Sequence, residues 1–399
     1  MSRPPDPAHL ARWRADTPGV ERLIHLNNAG AALAPLAVRR AVTEYLDREA
    51  ALGAYETAEA SVDQISGASE GVGALIGARG RNIALTQNAT TAFAQAIAAF
   101  DFHSGDRILT SRADYASNQI MYLALARRLG VEVVRIPDAP EGGIDPEALE
   151  REAARRRPVL VALTWVPTNS GLVQPVEAVG AVCRRREIPY LVDACQAVGQ
   201  LEVDVERVGC DYLSATARKF LRGPRGIGFL YAADRVLEAG AYPITVDMHG
   251  ATWSDPDRFT LTPDARRFES WEISYALVAG VGAAVAYALE VGIPVAAARA
   301  SALAAYARER LAEIDGVRVL DRGPALCAIA TAAVAGRDAA SIKLALRARA
   351  INTSAADRED AVIDMDEKGT ASALRISPHY YNTADEIDAC VAALADLLS

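Results

Sequence analysis

Short apolar runs bounded by turn residues alternate with alanine-rich stretches of helical period over most of this chain, and few architectures accept that alternation. Ile83–Thr86, Asp106–Thr110, Val131–Ile136, Val159–Thr164, Tyr190–Asp193, Tyr212–Ser214 and Gly228–Tyr231 read as strands. Between them Thr91–Phe100, Asn118–Leu129, Pro146–Arg155 and Pro175–Arg186 read as helices. A strand that is apolar along its whole length is covered on both faces, and a helix between successive strands supplies the crossover that parallel pairing needs. The pattern predicts an α/β fold with a mostly parallel sheet and helices on both sides.

The texture changes near residue 290. A long Ala/Arg helix (Pro294–Ile314) leads into Val317–Leu320 and Ala325–Val334. A helix (Ala340–Arg349), a strand (Ala373–Ser377) and a closing helix (Thr383–Leu398) follow. We read a large domain over residues 20–270 and a smaller α+β domain over 285–399, with residues 1–19 packing on the latter. Tyr242–Trp271 is the least regular stretch and is expected to cross the junction; Ile351–Lys368 reads as a loop.

Composition excludes several classes of function. A net charge of -9 disfavours nucleic acid or an anionic membrane as the main partner. Val278–Leu289 is the kind of Ala-rich stretch present, and it is too short to span a bilayer. Met1–Pro7 lacks the apolar core of a secretory signal. The five cysteines (183, 195, 210, 327, 390) show no CxxC spacing, which suits reduced thiols in the cytoplasm. The five histidines (9, 25, 103, 249, 379) are scattered, and no metal site is expected.

Only three lysines occur among 42 basic residues, and one of them, Lys219, lies in Ser214-Ala-Thr-Ala-Arg-Lys-Phe-Leu-Arg-Gly-Pro-Arg-Gly-Ile-Gly228. Arginine cannot act as an amine nucleophile, so a chain that avoids lysine keeps a distinct chemistry where it retains one. Asp193 ends a strand 26 residues earlier. In a parallel sheet both would project at the C-terminal strand edge, where α/β proteins bind ligands. An aspartate there can pair with a protonated pyridine nitrogen while a lysine forms an imine with an aldehyde, the pair that pyridoxal phosphate requires. Asn88-Ala89-Thr90-Thr91 opens a helix after a strand, where N–H groups and hydroxyls can hold a phosphate. Each position also has an ordinary role open to it. Asp193, Thr90 or Thr91 can cap a helix, Tyr115 can be a core aromatic, Arg375 can be an ion-pair partner, and Lys343 and Lys368 read as solvated charges.

Strand-end Asp-x-x-Gln followed by Ser/Thr-x-x-Lys-x-x-x-Gly-Pro-x-Gly-x-Gly resembles the class V aminotransferase and cysteine desulfurase family of fold-type I pyridoxal phosphate enzymes. The resemblance runs from Leu26-Asn-Asn-Ala-Gly30 to Arg375-Ile-Ser-Pro-His-Tyr-Tyr-Asn-Thr383. It implies pyridoxal 5'-phosphate as cofactor, Lys219 as the imine lysine and Asp193 as the partner of the pyridine nitrogen. It implies Gln196 and Asn169 at the ring hydroxyl, and Ala89, Thr90, Thr91, Thr216 and Arg218 at the phosphate. Tyr115 would stack on the ring, and Arg375, with Asn28 and Ala29, would bind the substrate carboxylate. A homodimer with sites at the interface and an amino acid substrate are further implications.

Two departures narrow the reaction. Desulfurases of this family carry a nucleophilic cysteine just before the arginine-bearing strand, and Ile351–Ala361 has none. Cys327 reads as core, and Cys195 is expected to point away from the cofactor. Arg267-Phe-Glu-Ser-Trp-Glu272 stands where many relatives have Gly-Thr reaching the neighbouring subunit's phosphate, and glutamate does not suit a phosphate. The remaining resemblance is to hercynylcysteine sulfoxide lyase-like and isopenicillin N epimerase-like proteins. It implies proton removal by Lys219 followed by carbon–sulfur β-elimination, with epimerisation or transamination as alternatives. An epimerase needs a second base, for which Tyr115 and His379 are the nearest residues by sequence. Tyr55 and Trp165 are candidates for contact with the substrate side chain. A non-enzymatic binding module and a dinucleotide-binding fold are the readings of another class; no GxGxxG opens a helix after a strand.

Overall fold

The structure, a computed structural model, describes residues 7–399. Seven strands build the central sheet: β1 (Ile83–Thr86), β2 (Arg107–Thr110), β3 (Glu132–Arg135), β4 (Leu160–Thr164), β5 (Tyr190–Asp193), β6 (Tyr212–Thr216) and β7 (Gly228–Ala232). Their order in space is β1-β7-β6-β5-β4-β2-β3. Pairing is parallel from β6 through β3, while β7 runs antiparallel to both neighbours. The mostly parallel α/β sheet is the one the alternation predicts. β4 to β7 are buried along their whole length, as unbroken apolar runs require, and the edge strand β3 carries the charged Glu132 and Arg135.

Element ends shift where local chemistry decides them. The helix expected from Thr91 starts at Ala89, because the Asn88 side chain accepts a hydrogen bond from Thr91 N (2.9 Å) and caps it there. Helices Leu36–Leu52 and Val62–Ile76 each pack against Tyr275–Val291 beside the sheet. Tyr275–Val291 is apolar nearly all round and accordingly buried. Among the described residues no single helix is long and apolar enough to cross a membrane; Tyr275–Val291 and Ile293–Ala312 would be so only together, and the chain bends by 80° between them.

A second sheet has four antiparallel strands in the order Val317–Val319, Ala330–Val334, Ser372–Ile376, Ser354–Asp357. Leu311, Leu346, Leu374, Ile387 and Leu394 pack its core with Leu26 from near the chain start. Ile24–His25 pairs in parallel with Ile351–Asn352, and Asn27 bridges to Ser377. The strand expected over Ala325–Val334 begins only at Ala330. Cys327, Ala328 and Ile329 belong to the first core, and Cys327 N donates to Gly171 O. Ile351–Lys368, expected as a loop, contains the strand Ser354–Asp357 and the helix Val362–Lys368, joined by a turn with the Asp357–Asp360 capping box. Tyr242–Trp271 contains the hairpin Ala251–Asp255/Arg258–Leu261. Of the N-terminal segment, residues 1–6 lie outside the described residues; helix Pro7–Ala15 seats Trp13 against Tyr287, Ala296, Tyr380 and Tyr381.

Candidate active site

β2, β4, β5 and β6 end on Thr110, Thr164, Asp193 and Thr216, so one edge of an otherwise apolar sheet is polar. A cavity of about 540 Å³ opens there, a size suited to a cofactor or small substrate. Its wall includes Ala89, Thr90, Thr91, Tyr115, Asp193, Gln196, Thr216, Arg218 and Lys219, all singled out from sequence. Asn118, Thr164, Thr168, Cys195 and Arg225 also line it.

Lys219 follows β6 in a tight turn closed by Arg222 N donating to Lys219 O (2.8 Å) and Gly223 N to Ala217 O (2.8 Å). The side chain is 7% exposed, and its amine has no hydrogen-bond partner among the described residues. Burial pushes the ammonium's pKa down, opposed in part by Cys195 and Asp193. Its Nζ lies 6.0 Å from the centre of the Tyr115 ring, so a planar group on the amine would meet that ring.

Asp193 accepts hydrogen bonds from Cys195 N (2.9 Å) and Asn118 Nδ2 (2.9 Å). Asn118 also donates to Thr164 Oγ1 (3.2 Å), and Thr164 donates its proton to Asp114. Asp114 is buried, and loss of water raises its pKa. Sequence reading assigned Asn118 and Thr164 nothing. Thr164 was findable, because it stands in register with Asp193 at the adjacent strand end. Asn118 was not, because its reach depends on how the helix Ala116–Leu129 sits.

On the opposite side, the helix Ala89–Ile97 presents its first turn to the cavity. Gly228 makes this approach possible, since a Cβ there would lie 2.5 Å from Ala215 O and 2.9 Å from Ala89 N. Arg218 lines the same region, donates to Gly30 O and has no carboxylate partner among the described residues. A helix N-terminus, two threonine hydroxyls and an unpaired guanidinium suit a phosphate. Gln196 donates to Ala29 O (3.0 Å) and Thr168 Oγ1 (2.7 Å), and its buried Oε1 is left without a partner. An unmet polar atom on a cavity wall marks a group the polypeptide does not supply. Phosphate cradle, free buried amine, strand-end carboxylate and facing ring together fit pyridoxal phosphate.

Several expected residues are placed differently. Asn169 is off the wall, because its amide turns to Asp364 (2.6 Å), which also pairs with Lys368 (2.7 Å). Lys368 is thus a buried ion-pair member and not a solvated charge. Asn28 and Ala29 also lie off the wall: Asn28 bonds Ser377 O (2.8 Å), and Ala29 N donates to Ser377 Oγ (3.0 Å). Arg375 stands behind Thr168, donating to its carbonyl (2.8 Å) and to Asn27 Oδ1 (3.2 Å), while its buried Nε has no partner. Burial lowers this guanidinium to about 10, the mark of a cation lacking a counter-ion. His379 is no second base. It is fully buried, pushed down to about 3, and bound to Phe220 O (2.8 Å). Cys195 lines the cavity, contrary to expectation, and burial with Asp193 beside it drives its thiol pKa well up. Cys327 is core. Glu269 accepts from Leu85 N (2.6 Å) and pairs with His249 (2.8 Å). Tyr55 is exposed, and Trp165 is buried away from the wall.

The family model for class-V aminotransferases matches residues 24–390. A probable hercynylcysteine sulfoxide lyase of Mycobacterium tuberculosis is 30% identical over 386 residues, covering 96% of this chain and 92% of the relative. A probable cysteine desulfurase of Methanothermobacter thermautotrophicus is 28% identical over 383 residues, 94% of each. The fold is that of the cystine C-S lyase C-DES, solved with glycine covalently linked to its PLP cofactor, at a TM-score of 0.86 and 22% identity over 96% of this chain and 99% of that one. The chain therefore belongs to the class-V aminotransferase family and is a pyridoxal phosphate-dependent enzyme.

Proposed function

We propose that the enzyme is a carbon–sulfur β-lyase acting on a cysteine S-conjugate or its sulfoxide, with Lys219 as the base. The observation that carries the choice of reaction is the state of the thiols. Desulfurase chemistry needs a thiolate, yet Ile351–Ala361 holds no cysteine, and the one cysteine on the cavity wall, Cys195, is held protonated. The names of the similar lyases support the same reading.

Ala89, Thr90, Thr91, Thr216 and Arg218 would hold the cofactor phosphate, Asp193 the ring nitrogen, Gln196 the ring hydroxyl and Tyr115 the ring face. Bound there, pyridoxal phosphate supplies an aldehyde that joins the substrate amine and a cationic ring that takes up electron density from Cα. Arg375 receives the substrate carboxylate once Thr168 and Asn27 give way, which fixes the Cα–H bond toward Lys219. The Lys219 amine, whose protonation burial disfavours, takes the Cα proton. The sulfur departs from Cβ with the bonding pair, as thiolate or sulfenate, and hydrolysis of the three-carbon enamine gives pyruvate and ammonia. Asn118, oriented by Thr164, holds Asp193 in place throughout.

A cytoplasmic homodimer is part of this proposal. Five free cysteines suit a reducing compartment. Trp253 is 79% exposed on its hairpin beside Phe259, and Tyr242 meets Phe259 edge-on, an apolar patch that a second copy would cover. Light scattering reads the mass directly. The function is tested by incubating the yellow protein with L-cysteine S-conjugates and sulfoxides, D- and L-amino acids, and keto acids. Equimolar pyruvate, ammonia and sulfur product are expected. Racemised or transaminated amino acid without cleavage overturns the lyase reading.

A further inference from the structure

Arg222 is 1% exposed, has no carboxylate partner among the described residues, and sits at φ 61°, a backbone conformation that costs a residue with a side chain. Both anomalies have one resolution. Its guanidinium lies 4.5, 5.2 and 5.6 Å from the ring centres of Tyr381, Tyr380 and Tyr287. Each of its three nitrogens donates once: Nε to Leu33 O (2.9 Å), Nη1 to Tyr380 Oη (2.6 Å) and Nη2 to Thr17 Oγ1 (2.6 Å). Ring faces and neutral acceptors stand in for a counter-ion, which a planar fork can exploit and an ammonium cannot. Arg222 is also the residue whose N–H closes the Lys219 turn. The same turn is gripped a second time. His379 Nδ1 accepts from Tyr380 N (3.0 Å), so its Nε2 carries the proton donated to Phe220 O. His379, Tyr380 and Tyr381 follow Arg375 by a few residues on one continuous segment.

We infer that Arg222 is a positioning residue: its tyrosine cage locks the turn that aims Lys219 and ties that turn to the segment carrying Arg375. The inference rests on Lys219 being the imine lysine, and it predicts that losing the cage changes proton transfer more than substrate capture.

Arg222→Gly tests it, because glycine adopts the same left-handed backbone readily while the whole side chain is removed; Arg222→Lys keeps charge without the fork. The readouts are the pH midpoint of the cofactor's visible band and α-proton exchange of L-alanine in D₂O by NMR, which needs no leaving group. In both variants the exchange rate constant is expected to fall roughly tenfold or more with apparent KM within about threefold, since small misplacements of a reacting group cost that much. The band midpoint is expected to move by at least about half a pH unit, which loss of stability alone does not cause. A rate within about twofold of wild type, or an unmoved midpoint, overturns the inference. If the Arg222 variants do not fold, Tyr380→Phe decides: it keeps the ring, and a smaller change of both readouts in the same direction is expected, whereas no change in either overturns it. Lys219→Ala separates the two readings. A visible band that survives it defeats the assignment of Lys219, whereas an Arg222 failure with a Lys219-dependent band defeats only this inference.

Discussion

Lys219 and Arg375 do opposite things with the same physical fact. Each is a cation buried without a carboxylate partner. For Lys219 the cost favours a neutral amine able to react, while for Arg375, charged at any working pH, it favours an anion arriving from outside. Lys219→Ala should abolish the visible band and lower α-proton exchange by at least about 10³, a general base's usual contribution; a retained band read by spectrophotometry would contradict the role. Arg375→Lys should raise KM for an amino acid roughly 10- to 100-fold with a smaller effect on kcat, because one point charge replaces a fork; initial-rate kinetics give the split. The sequence made Lys219 and Asp193 legible, since strand-end positions follow from the alternation. Cys195, His379 and Lys368 were misjudged because the direction of a loop or helix side chain is set by what packs on it: Asp193 two residues before Cys195, Asp364 one helical turn before Lys368, and Phe220 from a distant part of the chain against His379.

At the level of elements, hydrophobic runs located every strand of the central sheet to within two residues, because burial on both faces leaves the inner strands no choice of composition. Helices packed mainly on other helices, such as Val62–Ile76, have no such signature, and the strand Ser354–Asp357 hid in a polar stretch because a sheet edge tolerates polarity. The contact of β7 with the helix Ala89–Ile97 shows how closely elements meet at the site. Gly228→Ala should destabilise the fold by about 2 kcal/mol through overpacking and loosen the phosphate end of the cavity. Denaturant melts with and without added pyridoxal phosphate measure both effects, and an unchanged midpoint would show that the backbone can yield there.

For the molecule as a whole, His379 sets a limit in acid. Its folded pKa is depressed to about 3 by burial and Arg222, so its contribution to stability is complete above its ordinary pKa of 6.5 and is lost progressively as pH falls toward 3. Between pH 6.5 and 4.5 the loss amounts to about 2–3 kcal/mol, at about 1.4 kcal/mol per unit. Urea midpoints at pH 7 and 5 should therefore separate steeply for the wild type and less for His379→Gln. The pairing of Ile24–His25 with Ile351–Asn352 acts on another axis, time. Those partners are more than 300 residues apart, so during synthesis the first strand of the small layer must wait, apolar and unpaired, until almost the whole chain has left the ribosome. A nascent chain halted after β7 could complete its central sheet and still leave Leu26 uncovered, which puts a segment made before every strand of that sheet among the last to reach its native place.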